Sequence, residues 1–340
     1  ARVWNHAGFH QLLKSGILWA AGDSAQDRYH EFLESRSPLK YVKRDNIPNY
    51  EKRPEPLPYQ LPLTAAQSMK YTQVPVGFRL ELFAAEPQIV NPIYMQWDER
   101  GRLWVVESVD YPNELKPGRK GNDRIKICED TNGDGKADFR QEIMRGIDVT
   151  DAHHGGMIAM GPMGNVMFCD GVFHRSQLET PHGVTRGVDA TTYRYDLRKG
   201  TVEREYQTLT PNPWKITWDR WGNLFQMYGD GFVQDSHAIP WTPFGVYHPF
   251  RRAISVAYGK GSAAAVISSP NFPDEYQQGM ASAVLLRKCF VSISKHKAEG
   301  AYYKASDRLD ILSSPNQLFR PVDIAFGLDG AMYVSDFCSR

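Results

Sequence analysis

Hydrophobic and polar positions along the chain fall into two regimes. Between residues 9 and 21, Phe9, Leu12, Leu13, Ile17 and Trp19 to Ala20 recur near helical spacing and Gly22 follows as a stop, which predicts one amphipathic helix of about three turns. A second short helix is predicted over 27–34. The prolines Pro38, Pro48, Pro54, Pro56, Pro58 and Pro62 then crowd one stretch and predict an extended linker, because repeated proline removes backbone donors and forbids helix. A lone helix of this size is no domain; it docks on the rest or belongs to something upstream.

From Val76 onward the pattern changes to short apolar or alternating runs broken by Gly, Pro, Asn and Asp, the signature of an all-β domain. A phrase recurs within it: MQWDERGRLWVVES at 95–108, IAMGPMGNVMFCDG at 158–171, ITWDRWGNLFQMYG at 216–229 and IAFGLDGAMYVSDF at 324–337. Each copy predicts a β-hairpin around a tight turn at Gly101, Gly164, Gly222 or Gly330. The last interval between these glycines is close to twice either of the first two, which predicts a degenerate copy near 281–293. Strand pairs repeating at this period, without helices, are what a β-propeller blade requires; the alternative is a sandwich with coincidental hairpins.

Composition narrows the function classes. With 40 Lys+Arg against 39 Asp+Glu the formal charge is +1, so no strong field points to nucleic acid or an anionic membrane. No apolar run approaches the roughly 18 to 20 residues that span a bilayer. The start, Ala-Arg-Val-Trp-Asn-His, has no initiator Met and no basic segment followed by an apolar one, so it reads as a piece cut from a longer chain. Cys128, Cys169, Cys289 and Cys338 lie far apart and form no C-x-x-C or C-x-x-C-H, so no zinc knuckle or covalent haem is written here. Single cysteines on strands read as small buried hydrophobes, and the even count also permits two disulfides in an exported protein.

Three groups of residues carry candidate chemistry. Asp130, Asn132, Asp134 and Asp138 stand at positions 1, 3, 5 and 9 of an EF-hand-type loop, with Gly135 at the sharp turn and the Lys136 carbonyl at position 7. Position 12 is Gln141 rather than Glu, so the reading is either a weakened calcium loop pinning a propeller turn or an Asp/Asn/Gly turn without an ion. Four of ten histidines, His153, His154, His174 and His182, fall between 153 and 182, a density that suggests metal ligation or proton transfer against satisfied or surface histidines. Arg287, Lys288 and Arg320 offer cations to an anionic cofactor if they face a channel, and are surface charges otherwise. No G-x-G-x-x-G, P-loop, G-x-S-x-G or H-E-x-x-H occurs, so nucleotide-dependent and common hydrolase chemistries lose their usual support.

The phrases GFRLELFAAEP, NPIYMQWDERGRLWVVES, RIKICEDTNGDGKAD, DAHHGG, GVFHRSQLETPHGVTR, NPWKITWDRWGN, ISSPNFPDEYQQG and FRPVDIAFGLDGAMYVSDF, in this order over 74–340, resemble the membrane-bound dehydrogenase-type propellers of Planctomycetes and Verrucomicrobia. That resemblance implies a large exported protein, often with a c-type haem domain downstream. NHAGFHQLLKSGILWAAGD is similar to the last helix of ThuA-like domains, which are often fused ahead of such propellers. The propeller is also distantly similar to soluble quinoprotein sugar dehydrogenases, whose catalytic His opens an H-x-x-G segment eight residues before a blade Gly-Pro. His153 stands eight before Gly161-Pro162. By that match His153 is the general base that takes a hydroxyl proton while hydride passes to pyrroloquinoline quinone, and Arg320 and Arg287 contact the cofactor. Two departures stand out: Pro211-Asn-Pro replaces Arg-Asn-Pro, and no second Arg follows Phe319-Arg320 in the later pair. A blade is also missing between Asp138 and His153, which stand too close in the sequence to hold one.

The resulting expectation is an all-β, six-bladed-type β-propeller, incomplete at about five blades, behind a short α-helical remnant. The expected divisions are 1–23 (tail of a ThuA-like domain), 24–73 (Pro-rich linker) and 74–340 (propeller). The expected function is a sugar or polyol dehydrogenase-like module of an exported, periplasmic or extracellular bacterial protein, passing electrons to a cytochrome c domain outside this chain. The alternative is a non-catalytic carbohydrate- or protein-binding propeller. A lactonase or other metal hydrolase needs carboxylates converging in the channel, and the sequence places none there.

Overall fold

The structure is a computed structural model, and it describes residues 3, 6–44, 54–55, 58–110, 121–147, 158–171, 175–188, 191–207, 213–228, 232–235, 251–255, 260–285, 289–299 and 302–337. The chain divides into two units, Ala1–Tyr71 and Thr72–Arg340.

In the first unit, α1 (Ala7–Ala21) and α2 (Asp23–Glu34) meet at Gly22, whose φ of 84° lets the chain turn between two helices. The second helix starts four residues ahead of the predicted position, with Asp23 in its first turn, where a carboxylate suits the helix dipole. The segment after it is not wholly extended. The strands β1 (Tyr41–Val42) and β2 (Tyr59–Gln60) pair antiparallel, and α3 (Ala65–Met69) follows, capped by Thr64, whose hydroxyl accepts from the Gln67 N–H at 3.3 Å. Gln67 in turn accepts the Ser37 N–H at 2.8 Å, so the prolines between are spanned by polar ties.

The second unit is built from antiparallel sheets. β3 (Pro92–Trp97), β4 (Leu103–Glu107), β5 (Asp123–Glu129) and β6 (Phe139–Ile147) form the first, a meander paired in chain order. β7 (Ile158–Met160) and β8 (Val166–Cys169) open the second; a separate hairpin of β9 (Arg175–Thr180) and β10 (Gly183–Val188) intervenes before β11 (Thr191–Asp196) and β12 (Thr201–Gln207) complete it. The third sheet is β13 (Pro213–Trp218), β14 (Leu224–Tyr228), β15 (Phe232–Asp235) and β16 (Arg251–Ser255). β17 (Gly261–Val266), β18 (Met280–Val284), β19 (Phe290–Glu299) and β20 (Tyr302–Ser313) make the fourth, and β21 (Pro321–Phe326) with β22 (Met332–Asp336) make the fifth, two-stranded among the described residues. Four-stranded meanders repeated in this way are propeller blades. Among the described residues no helix is long and apolar enough to cross a membrane.

The recurring phrase is explained by its turn. In four sheets the first hairpin closes through a glycine N–H donated three residues back: Gly101 to the Asp98 carbonyl, Gly164 to Gly161, Gly222 to Asp219 and Gly330 to Gly327, at 3.0 to 3.1 Å. Each of these glycines has φ between 72° and 81°, a region that penalises any side chain. The aspartates of the phrase satisfy the remaining donors, as Asp98 Oδ1 does for the N–H groups of Arg100 and Arg102 and Asp219 Oδ1 for those of Trp221 and Asn223. The degenerate copy corrects the sequence expectation: its first hairpin is β17 and β18, starting at Gly261, and 281–293 spans the second and third strands instead. A loop with a 3₁₀ turn at Asp274–Tyr276 replaces the tight glycine turn there.

The core lies in the seams between sheets rather than within them. Phe225 and Met227 of the third sheet pack on Ala264, Val266, Met280 and Val284 of the fourth. Ala263, Ala281 and Ile293 of the fourth meet Ile324 of the fifth. Met95, Leu103 and Val105 of the first meet Ala325 and Tyr333 of the fifth, where Phe83, Trp97 and Tyr333 stand edge to face with ring centroids 4.8 to 6.0 Å apart. Ala159, Met167 and Cys169 of the second pack on Ile216 of the third, with Tyr94 of the first against the same cluster. The last sheet is thereby seated on the first. Cys128, Cys169 and Cys289 are free thiols, the first two buried as small hydrophobes, and Cys338 lies outside the described residues.

Candidate functional site

First strands of four sheets contribute to the centre from their second to fourth residues. Lys215, third in β13, extends its Nζ to Asp323, third in β21, at 2.8 Å from Oδ1 and 3.0 Å from Oδ2. The Met95 N–H, fourth in β3, donates to the same Oδ2 at 2.7 Å, and the Tyr94 ring lies 4.1 Å from the Lys215 ammonium. Ser262, second in β17, donates its hydroxyl to the Pro321 carbonyl at 2.8 Å. These contacts put the starts of the inner strands at one end of the ring. The ends of the second strands lie there too, since Pro92 pairs with Glu107, Pro213 with Tyr228, Gly261 with Val284 and Pro321 with Asp336.

The Lys215–Asp323 pair is buried, its two side chains 8% and 2% exposed. Burial works against charge on both groups: it presses the ammonium toward its neutral form and raises the Asp323 carboxyl, while the attraction between the two overrides it at the lysine, which is raised above its ordinary pKa. One carboxylate thus serves three sheets, through Lys215, the Met95 N–H and its own strand. Sequence reasoning missed both residues. The signal was a charge in each of two apolar strands, PWKITW and PVDIAF, where an unpartnered charge is costly.

Arg320 enters β21 at this same end. Its N–H donates to Asp336 Oδ1 at 2.7 Å, its carbonyl accepts the Phe337 N–H at 2.9 Å, and its Nε, shut off from solvent, meets no acceptor. Burial pushes Asp336 up to about 6 against the opposing pull of the Arg320 N–H and guanidinium. Cys289, which precedes β19, lies within electrostatic reach of both, its thiol pushed up by burial, drawn down by Arg320 and pushed up again by Asp336. Neither Asp336 nor Cys289 was singled out from the sequence for this site. His153, His154, His174, Arg287 and Lys288 lie outside the described residues. His182 sits in the exposed β9–β10 turn, donating its N–H to the Thr180 hydroxyl.

The calcium-type loop joins β5 to β6, and the structure does not draw its oxygens together. Asp130 Oδ1 accepts the N–H groups of Gly133 and Asp134 and Oδ2 that of Gly135, at 2.7 to 3.2 Å. Asn132 accepts the Asp134 N–H and Asp134 the Lys136 N–H. Asp138 accepts the Thr131 N–H and hydroxyl, while Gln141, at the twelfth position, pairs with Ile127 in the sheet. Among the described residues no three His, Cys, Asp or Glu side chains are placed to hold a metal ion. The turn is thus held by hydrogen bonds of its own side-chain oxygens. Accordingly Asp130→Ala is expected to lower the urea midpoint of unfolding, equally in calcium and in excess chelator. A loss confined to calcium-containing buffer would show that an ion holds the turn.

Residues 64–141 and 128–237, together just over half of the chain, match a family described as domain of unknown function DUF7133. The chain belongs to this family. No curated protein matches it. Among solved structures it is similar to the PQQ domain of pyranose dehydrogenase from Coprinopsis cinerea (13% identity, 78% of this chain and 94% of that one, TM-score 0.46). It is also similar to the family AA12 enzyme of Trichoderma reesei (10%, 78% and 95%, TM-score 0.45) and to the apo soluble aldose sugar dehydrogenase of Escherichia coli (14%, 76% and 84%, TM-score 0.41). No residue role rests on these likenesses.

Proposed function

We propose that this DUF7133 chain is a sugar or polyol dehydrogenase-like propeller module that uses pyrroloquinoline quinone. The observation that carries the reading is the position of Arg320. It sits at the strand-entry end of the ring with both backbone groups tied and a guanidinium Nε that has no acceptor. A cation held in this way, with a buried Nε–H that has no acceptor, suits a ligand bearing several carboxylates. When bound, the quinone supplies a two-electron acceptor for hydride.

The chain's own residues do the rest. Arg320 and Arg287 take the carboxylates; Arg287 follows β18 in the chain, and that strand ends at the same end of the ring. His153 precedes β7 in the chain, and in its neutral form it removes the hydroxyl proton of the sugar at an imidazole nitrogen. Export to the periplasm or cell exterior, and electron transfer to a c-type haem domain outside this chain, rest on the resemblance of the sequence phrases alone.

Equilibrium binding of pyrroloquinoline quinone tests the reading. The chain is expected to bind it, and Arg320→Gln to weaken binding by about 10-fold or more, the cost of a charge-assisted pair. No binding by the unaltered chain, or full binding by Arg320→Gln, would leave the propeller as a binding module for carbohydrate or protein.

A further inference from the structure

Asp336 stands in an unusual relation to Arg320. The two residues flank the start of β21 and the end of β22, and the register Pro321 with Asp336 sets the carboxyl against the Arg320 backbone, where Oδ1 accepts its N–H at 2.7 Å. The adjoining Phe337 N–H holds the Arg320 carbonyl. The last strand therefore grips Arg320 on both sides and leaves only its side chain to act. Yet the carboxyl is not neutralised by that cation in a close pair: burial keeps it up at about 6, and the guanidinium Nε finds no acceptor. A third group, the Cys289 thiol of the neighbouring sheet, feels both charges with opposite sign.

We propose that Asp336 is the positioning residue of a carboxylate-binding site at Arg320, clamping the arginine backbone and balancing its charge until an anionic ligand takes that place. The ligand class is a small molecule with two or more carboxylates; only its identification with the quinone cofactor rests on the reading above. Two consequences separate the two roles. Asn at 336 keeps an oxygen for the Arg320 N–H but removes the charge, whereas Ala removes both. Among the described residues Arg320, from the chain entering β21, acts on Asp336, and both act on Cys289, from the chain entering β19, so ionisation of the thiol reports the local field without any cofactor.

The test measures alkylation of Cys289 by iodoacetamide, resolved by peptide mass spectrometry from about pH 5 to about pH 9, with and without citrate. Asp336→Asn is expected to speed alkylation by about 3- to 10-fold near neutral pH and Arg320→Gln to slow it by a similar factor, because one variant removes an anion and the other a cation. Citrate is expected to slow the reaction in the unaltered chain and in Asp336→Asn, but not in Arg320→Gln. Pyrroloquinoline quinone is expected to bind Asp336→Asn more tightly than the unaltered chain and Asp336→Ala less tightly than Asp336→Asn. Citrate without effect on Cys289 in every variant, or rates that Asp336→Asn leaves unchanged, would overturn the proposal. Citrate protection that depends on Arg320, in a chain that does not bind the quinone, would uphold the anion site and overturn only the cofactor assignment.

Discussion

Lys215→Met is expected to destabilise the propeller by about 3–5 kcal/mol in urea unfolding, among the largest effects of any single substitution. The cause is the carboxylate left behind. Asp323 is 2% exposed and lies among the first strands of three sheets, so without its ammonium it is a buried charge with only N–H partners. Removing both charges together, as in Lys215→Met with Asp323→Leu, is expected to restore most of the loss, because attraction between buried charges roughly offsets their dehydration. A residual cost of about 1–3 kcal/mol belongs to the Met95 N–H, which loses its acceptor. A single variant within about 1 kcal/mol of the parent would mean that the pair does not tie the sheets together.

The second large effect depends on pH. His296 of β19 stacks on Tyr303 and packs at a tilt against Phe225, ring centroids 5.9 and 5.6 Å away in a three-ring cluster, with its Nε2 shut off from solvent and unpartnered. Burial pushes its pKa down to about 4, with Asp219 pulling weakly the other way. The fold thus binds this proton less readily than the unfolded chain. Its contribution to stability is full above the ordinary value near 6.5 and is lost as pH falls toward 4, a span of about 3 kcal/mol. Asp336 runs in the opposite sense: raised to about 6, it favours the fold below its ordinary value near 3.8 and loses that contribution as pH climbs through 6. The two partly cancel in the parent chain. His296→Phe is expected to show stability falling as pH rises from about 4 to about 6, and Asp336→Asn to show it rising over the same range. Parallel profiles for both variants and the parent, followed by chemical unfolding at each pH, would refute this assignment.

What was legible in the sequence followed local chemistry. The turn phrase with Asp and Gly could be read because a four-residue turn demands a glycine at positive φ and a side chain to take up its donors, and both requirements are met within a few residues. The fourth sheet could not be placed correctly because β17 and β18 are buried at every position, so GSAAAV and MASAV show neither alternation nor bulk. The missing glycine turn removed the other cue. Lys215 and Asp323 were illegible because their meeting depends on how sheets far apart in the chain pack together. Arg320 was recognised through its resemblance to a cofactor-binding position, while Asp336 needed the β21–β22 register to be set beside it. The calcium-type spacing was read correctly as a tight turn, yet those same oxygens serve the turn's own N–H groups, which spacing alone does not reveal.

The most direct test of the central claim is dye-linked oxidation of a panel of sugars and polyols by this chain supplied with pyrroloquinoline quinone, run beside His153→Ala. Turnover is expected with at least one of them, with a loss of about 100-fold or more in the variant, in line with removal of a general base. Absence of turnover in a chain that demonstrably holds the quinone, or turnover that His153→Ala leaves intact, would contradict that claim.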